Sequence, residues 1–383
     1  MKIAVLGAGM MGRAAVHDLA RAPGVQEVRV FDVDAERAQA VARDHGAGKA
    51  VGSALDASDQ AALEQAIAGC DAALGAISYR FNADLTRACI RQGVHFCDLG
   101  GNNTIVQEQF SLSDQARQAG VAIVPDCGLA PGLVSILTAR CLELMPDADS
   151  VKMRVGGLPR DPSGPFGYQI VFSVEGLINE YKEPSFALAD GEIVEVPTLG
   201  GMERLSFPAP FEELEAFNTS GGASTLPWTL QGRVRNLDYK TIRYPGHRDL
   251  VAALFALGLA DEQPRPIDGG QVRPRKVLEA MMNEKLSSDG PDCILCQVQA
   301  TGPQGAVTFR LVDYHDDATG LSSMMRCTAF PAAIVAHMLA SGVVQARGTL
   351  YQEHSIPAGA FVDALLQRGL PLELIDDRTP AGS

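Results

Sequence analysis

Within its first twelve residues the chain carries Gly7-Ala8-Gly9-Met10-Met11-Gly12, three glycines at the spacing that cradles a dinucleotide. Gly7 permits a tight turn, Gly9 lets the backbone approach a pyrophosphate, and Gly12 lets a helix pack closely on a sheet. The phosphates would lie at Met10 and Met11, against unpaired backbone N–H groups at the positive end of that helix. Twenty residues past Gly12, Asp32 closes the segment VRVFD. A carboxylate there accepts hydrogen bonds from both ribose hydroxyls and repels the extra phosphate of NADP. Val33 follows where an NADP-binding chain would offer a basic residue, so the expected cofactor is NAD. An acidic residue that merely closes a strand would account for Asp32, but not for its register with the glycines.

Hydride transfer on such a cofactor requires a substrate carbon held near the nicotinamide and a group that receives or returns a proton. The run from Lys240 to His247 (KTIRYPGH) supplies candidates in a chain with seven histidines. Arg243 could grip a carboxylate with its planar fork, and His247 could exchange a proton near neutral pH. The same run also reads as a surface strand and turn with His247 opening a helix. Residues 217–226 (FNTSGGASTL) are small and polar, able to line a ligand site or to form a plain loop. Tyr168, Glu175 and Tyr181 lie in a mixed polar and aromatic segment that could receive an amine or a carboxylate, or serve as core and solvated surface. No metal is expected: the seven histidines are dispersed, and Cys293 and Cys296 form a single CxxC with no second pair.

The elements that must position these residues alternate regularly through the first third of the chain. Residues 2–6 (KIAVL) and 28–32 read as strands, and residues 34–46 read as a helix that begins after Asp34. Residues 58–69 read as a second helix with Ser58 placed to cap it. Strands are expected at residues 70–78, 94–101 and 121–128, with helices at 83–93 and 107–120. Such repetition demands a Rossmann-type, doubly wound parallel sheet of the α/β class. Ligands of such sheets sit beyond the carboxyl ends of the strands, which groups Ala76, Ser78, Asp98, Leu99, Gly100, Asn102 and Asp126. Ala76, Ser78, Leu99 and Gly100 join the glycines and Asp32 as candidate cofactor contacts.

After a helix at about residues 133–143 the pattern changes to extended segments with partial period-two alternation: residues 151–157, 168–173, 191–197, 204–208, 211–220, 234–244, 293–302 and 306–316. They call for a second α+β domain on a largely antiparallel sheet, with residues 247–258 as one of its helices. Helical patterns return at 331–342 and 359–369. The expected division is a discontinuous nucleotide domain, 1–130 with about 325–383, and a substrate domain, 131–324, with a cleft between them. Residues 287–292 and 376–383 are the most loop-like. Across 383 residues, 46 acidic against 32 basic side chains leave a net charge of −14, which opposes a phosphate backbone and argues against a nucleic-acid partner. The eight cysteines mostly sit in apolar segments, as reduced thiols do. With no basic leader and no uninterrupted apolar run of about 18 residues, the expectation is a cytoplasmic protein without a membrane partner.

The ordered motifs resemble the saccharopine dehydrogenase-like family, and within it most closely the lysine 6-dehydrogenases. In the first half these are the glycine motif, the run from Asp98 to Asn102 and the turn from Cys127 to Gly132. In the second half they are residues 155–159 (VGGLP), 173–181 (SVEGLINEY), 215–226 and 240–247. The resemblance implies a nucleotide domain completed by the segment from Pro331 onward and pairing through the second domain's sheet as a homodimer or a multiple of dimers. It also implies a small-molecule amino-acid substrate: hydride leaves the carbon bearing the side-chain amine of L-lysine, and the imine hydrolyses to an aldehyde and ammonia. The aldehyde then cyclises to a piperideine carboxylate. The amine must first lose a proton, for which Asp98, Asp126 and His247 are the candidates. Arg243 is assigned to the substrate carboxylate, with Asn102, Tyr168, Glu175 and Thr225 as further substrate contacts. A saccharopine dehydrogenase reaction would need more cations, and Arg154, Arg233, Arg235 and Arg243 are available; a carboxynorspermidine-type reductase is a third reading. A nucleotide-binding protein without chemistry would leave the polar second-half segments purposeless.

Overall fold

In the computed structural model residues 1–162, 164–288 and 290–379 are described. Of the two loop-like stretches, Asp289 and residues 380–383 lie outside these. The chain forms two compact units, one comprising Met1–Pro146, Ser224–Leu226 and Met325–Leu372, the other Asp147–Ala223, Pro227–Met324 and Glu373–Ser383. The sequence division was drawn at 130 and about 325.

The first unit is built on a seven-stranded parallel sheet. Six strands come from the N-terminal segment: β1 (Lys2–Leu6), β2 (Glu27–Asp32), β3 (Ala50–Ala54), β4 (Ala72–Gly75), β5 (His95–Asp98) and β6 (Ala122–Val124). The seventh is the short strand Gly348–Thr349 on β6, and the order is Gly348–Thr349, β6, β5, β4, β1, β2, β3. This is the Rossmann order, with its reversal between β1 and β4, where a ligand crevice opens. β1 is buried along Ile3, Ala4 and Val5 because helices cover both faces of a parallel sheet, and its run therefore shows no alternation.

Local chemistry explains where expectation and structure part. Asp59, not Ser58, caps the helix Gln60–Ile67, accepting from Ala61 and Ala62 N–H, while the Ser58 hydroxyl donates to Asp56. β3 went unread because it is an edge strand of small residues, AVGSA, with little hydrophobic signal. The single helix expected at 107–120 is two, Asn103–Ser111 and Ser113–Gln118, the first beginning behind the Asn102 cap.

The second unit holds a nine-stranded mixed sheet. Its strands include β7 (Ser150–Pro159), β8 (Ser185–Ala189), β9 (Glu192–Val196), β10 (Glu203–Leu205), β11 (Leu214–Asn218) and β12 (Asn236–Arg243). A separate hairpin of β13 (Arg265–Ile267) and β14 (Gly270–Val272) precedes the long pair β15 (Asp292–Gly302) and β16 (Gly305–Tyr314). The order is β10, β11, β12, β7, β15, β16 and then Leu372–Asp376, with β8 on β12 and β9 on β8. β7 and β12 run parallel, whereas β7–β15, β15–β16, β11–β12 and β8–β9 are antiparallel.

The strand expected at 168–173 is absent. That stretch is irregular and leads into the helix Val174–Lys182, capped by the Ser173 hydroxyl, which accepts from Gly176 N–H. Val174, Leu177, Ile178 and Tyr181, at spacings of three, one and three, bury one helical face, and that periodicity overrides the weak alternation before it. Cys293 and Cys296 both lie on β15, and an odd separation in a strand sends their side chains to opposite faces, so they do not share a metal.

The C-terminal helix is longer than the segment 331–342. It runs Ser323–Ala340, long and apolar enough by length and composition to cross a membrane, but 78% of its residues are buried inside the protein, as in a core helix. Its start is held by the buried Asp292, whose two carboxylate oxygens accept from Ser323 N–H (2.7 Å) and Met324 N–H (2.8 Å). Asp292→Ala leaves two buried donors unsatisfied and is expected to cost about 1–3 kcal/mol, read as a lower denaturant midpoint at unchanged slope, with Asp292→Asn recovering part of it.

Candidate functional site

The first unit's candidate residues converge at the carboxyl ends of its strands. Gly7 sits at φ +112°, and a Cβ built there would come 2.5 Å from the Ala76 carbonyl oxygen, so only glycine passes this turn beside β4. A Cβ on Gly12 would lie 1.8 Å from the Gly7 carbonyl oxygen, whereas one on Gly9 would meet nothing within 4 Å. Gly9 opens the helix Met10–Arg21 with no side-chain cap, leaving the first N–H groups of that helix for an anion. Met10 is exposed and Met11 half-buried at that end. Asp32 binds the turn to β2: its Oδ2 accepts from Ala8 N–H at 2.8 Å and its Oδ1 from Asp34 N–H at 3.0 Å. Arg37 approaches the same carboxylate at 3.7 Å. Open space at Gly9, unpartnered helix donors and a carboxylate at the end of β2 fit a dinucleotide. Ala76 is half-buried, and Ser78 is exposed three residues past the end of β4.

Two acids end the neighbouring strands. Asp98 is wholly buried, and its carboxylate accepts from Gly100 N–H (2.8 Å), Asp126 N–H (3.3 Å) and the Gln109 amide (2.7 Å). Burial raises its pKa against the pull of those three donors. With each oxygen engaged, Asp98 holds the Leu99–Gly100 turn and the backbone at Asp126. Asp126 itself stands at φ +65°, uncommon for a side chain with a Cβ, and accepts a short hydrogen bond from the Ser224 hydroxyl. Burial pushes its carboxyl up to about 7; Ser224 pulls it down, and Asp98 and Glu353 push it further up. A Cβ on Gly100 would fall 2.0 Å from Asp126 Oδ1, so that glycine makes room for the acid. An acid of this kind changes charge near neutrality and can move a proton.

The second unit gathers Tyr168, Tyr181, Arg243 and His247 in one buried cluster. Arg243, 3% exposed, donates from Nε to the Tyr181 hydroxyl (2.9 Å) and from Nη1 to the Ile242 carbonyl (2.9 Å), and its guanidinium lies 4.8 Å from the centre of the Tyr168 ring. Burial opposes its charge, but Tyr181, Tyr168 and Glu180 hold its pKa above the ordinary value. Among the described residues it has no carboxylate within ion-pairing distance. The Tyr181 hydroxyl lies 3.0 Å from His247 Nε2, and His247 Nδ1 lies 3.2 Å from the Phe166 carbonyl. A neutral ring protonated on Nδ1 satisfies both, accepting from Tyr181 and donating to Phe166. Burial, reinforced by Arg243, lowers the His247 pKa to about 3. The expectation that His247 exchanges protons near neutrality is therefore corrected: the ring stays neutral and orients Tyr181. Its place is set by Glu215 on β11, which accepts from Gly246 N–H (2.9 Å) and Arg248 N–H (2.7 Å) at the start of the helix His247–Ala256.

Other expected residues lie elsewhere. The Asn102 side-chain oxygen caps the helix Asn103–Ser111, accepting from Thr104 and Ile105 N–H. Thr225 donates to Glu353 at 3.3 Å in the first unit. Glu175 sits in the first turn of the helix Val174–Lys182, whereas Glu180, five residues on, is the acid whose charge is felt by Arg243, Tyr168 and Tyr181. Arg154 is buried against Glu203 and Asp238, Arg235 pairs with Asp190 at 3.0 Å, and Arg233 donates to the Ala148 carbonyl. Sequence reasoning missed Glu180 and Ser224, although both stand inside the segments that carry the resemblance.

Two family models match the chain. One, described as the saccharopine dehydrogenase NADP binding domain, matches residues 3–124; the other, described as the saccharopine dehydrogenase C-terminal domain, matches residues 128–370. Among curated proteins, saccharopine dehydrogenase (NADP(+), L-glutamate-forming) of Schizosaccharomyces pombe is 26% identical over 220 residues, 55% of this chain and 48% of that protein. The chain thus spans about half the length of that relative. Carboxyaminopropylagmatine dehydrogenase of a Synechocystis strain is 24% identical over 97% of this chain and 96% of its own length. Among solved structures, apo saccharopine dehydrogenase (L-Glu forming) from Saccharomyces cerevisiae shares the fold, with a TM-score of 0.78 at 20% identity over 98% of this chain and 100% of that one.

The raised acid carries a stability signature. Unfolded, an aspartate titrates near ~3.9; folded, Asp126 does so at about 7. Its neutral form is thus favoured by folding, a contribution present below about pH 4 and lost as pH rises through about 7. The stability of the native protein relative to Asp126→Asn is expected to fall between pH 4 and pH 8 in paired thermal melts; a difference independent of pH would show that the acid titrates normally.

Proposed function

The chain belongs to the saccharopine dehydrogenase family, and from that premise we propose that it catalyses NAD-dependent oxidative deamination of the side-chain amine of L-lysine. The observation that carries the reading is Arg243, a buried cation with no carboxylate at ion-pairing distance among the described residues, which suits the carboxylate of an amino-acid substrate. Arg154, the other deeply buried arginine of the β7–β12 region, is already neutralised by Glu203 and Asp238, so that region offers one such cation rather than the several that a tricarboxylic substrate calls for.

When bound, NAD supplies the acceptor for a hydride, two electrons and a proton's nucleus together. The helix opening at Met10 would receive the pyrophosphate, and Asp32 would accept from the ribose hydroxyls. Asp126, ionised in part near pH 7, takes the proton that the amine must lose before its carbon gives up hydride; Asp98 fixes the backbone that carries Asp126. Water then adds to the resulting C=N bond and ammonia leaves, so that the carbon ends as an aldehyde. Neutral His247 and Tyr181 hold Arg243 in its orientation.

A second reading, dehydrogenation of a secondary amine, has support in the full-length match to the carboxyaminopropylagmatine enzyme and in the saccharopine dehydrogenases. The two readings separate in one assay: NADH formation at 340 nm with L-lysine, with ammonia followed in parallel. Deamination requires both from lysine alone in equal amounts. NADH from saccharopine, or NADH consumption only when lysine and 2-oxoglutarate are both present, overturns it in favour of the second reading. For the deaminating enzyme, kcat/KM is expected to fall on acidification below about pH 7, and Asp126→Asn to lose that limb together with roughly 100-fold or more of the rate. NAD is expected to be used in preference to NADP although the matched family model carries an NADP description, with Asp32→Ala narrowing the preference by roughly 10-fold or more.

A further inference from the structure

Asp126 owes its place to more than its own segment. It stands at φ +65°, and Ser224, which donates to its carboxylate, stands at φ +41°. Residues with a Cβ seldom hold either angle, so neighbours must keep the two side chains facing each other. On the side of Asp126 one such neighbour is Gln352, which lies with both residues in the first unit. This glutamine is 5% exposed, and its Nε2 donates to the Pro125 carbonyl at 3.0 Å and to the Asp126 carbonyl at 2.6 Å. Its position comes from the C-terminal segment. Gly348–Thr349 pairs in parallel with β6, and Leu350 N–H donates to the Ile123 carbonyl at 2.8 Å, so the chain runs beside β6 toward the point where Pro125 and Asp126 leave it.

The two carbonyls that Gln352 holds belong to the two peptide planes that meet at the Asp126 Cα, and fixing both planes fixes φ and ψ there. Asp98 holds the opposite edges of the same planes: its carboxylate accepts from Asp126 N–H at 3.3 Å and its carbonyl from Cys127 N–H at 2.7 Å. The other end of the glutamine amide is unsatisfied, since Oε1 is buried with no hydrogen-bond partner. Turning the amide over would set that oxygen against two carbonyl oxygens, so the orientation is the one its neighbours allow. A buried acceptor without a donor destabilises a fold, and what Gln352 secures in return is the backbone of one acid. We propose that Gln352 is a positioning residue, clamping both peptide planes at Asp126 and thereby aiming the carboxylate that takes the proton of the amine. The inference rests on the reading of Asp126 as the proton acceptor.

A double-mutant cycle on the full chain tests it, with Ser224→Ala and Gln352→Met, the latter close to glutamine in length and lacking the amide. No hydrogen bond joins Ser224 to Gln352; each acts on Asp126, so independent structural roles would give melting-temperature losses that add. Positioning gives losses that do not add. Once Gln352→Met frees the Asp126 backbone, removing the Ser224 hydroxyl is expected to lower the melting temperature by roughly half or less of what it does in the native protein. In turnover with NAD and whichever of lysine and saccharopine is oxidised, Gln352→Met is expected to lower kcat roughly 10-fold or more with KM within about 3-fold, as a misaimed group does. Gln352→Asn, which draws the amide back by one methylene, takes the place of Gln352→Met in both measurements should that variant not fold. Additive losses, or a kcat within about 3-fold of the native value, overturn the proposal. Non-additive losses in a protein that oxidises neither amine support the clamp on Asp126 and remove the deamination reading instead.

Discussion

A guanidinium taken out of water, with no carboxylate at ion-pairing distance among the described residues, sets the terms for the second unit. Arg243 cannot shed its proton, so the surroundings must bear its charge. They do so with the Tyr181 hydroxyl, the Ile242 carbonyl and the face of Tyr168, all of which orient the fork without neutralising it. Burial, reinforced by the field of Arg243, keeps the His247 ring neutral; neutrality in turn lets Nε2 accept from Tyr181, whose own oxygen accepts from Arg243. Each proton in this network has one place to be, which makes the cluster a rigid hydrogen-bonded unit rather than a proton shuttle. Glu215, capping the helix that bears His247, fixes the network to the sheet through β11.

The first unit solves a mirrored problem. There two carboxylates are buried at the ends of adjacent strands, and the protein treats them differently. Asp98 receives three donors and acts as a knot joining β5, the turn at Gly100 and the backbone of Asp126. Asp126 receives one, from Ser224, and burial drives its carboxyl up to about 7 against that donor, with a further push from Asp98 and Glu353. Two acids at equivalent strand ends thus acquire separate roles, positioning and titration, from the number of donors each is given. The positive φ at Asp126 and the glycine at position 100 are the backbone conditions for that placement.

How much of this could be read beforehand varied with the range of the interaction concerned. Gly7 and Gly12 and the buried strands around them were legible, because a turn that forbids a Cβ and a strand covered on both faces leave marks within a few residues. Caps were harder: Ser58 and Asp59 are equally good on paper, and only the Asp56 side chain, by engaging Ser58, decides between them. The segment 168–173 was misread since its alternation was a weaker signal than the helical face that follows it. Arg243 was singled out by its residue type and His247 by its rarity, but the histidine's protonation depends on burial and on a neighbouring cation, neither of which is written locally.

By itself, then, the sequence determined the Rossmann-type nucleotide unit, the presence of a second sheet and the segments from which a site must be drawn, because periodicity, glycine spacing and strand composition act between near neighbours. Only the tertiary structure decided which acid titrates, which histidine does not, and that Glu180 rather than Glu175 shares a field with Arg243. Those outcomes turn on contacts such as Ser224 with Asp126, 98 residues apart, and Tyr181 with His247, 66 residues apart. Electrostatic energy in a buried site scales with distance and desolvation, and both are properties of the folded chain alone.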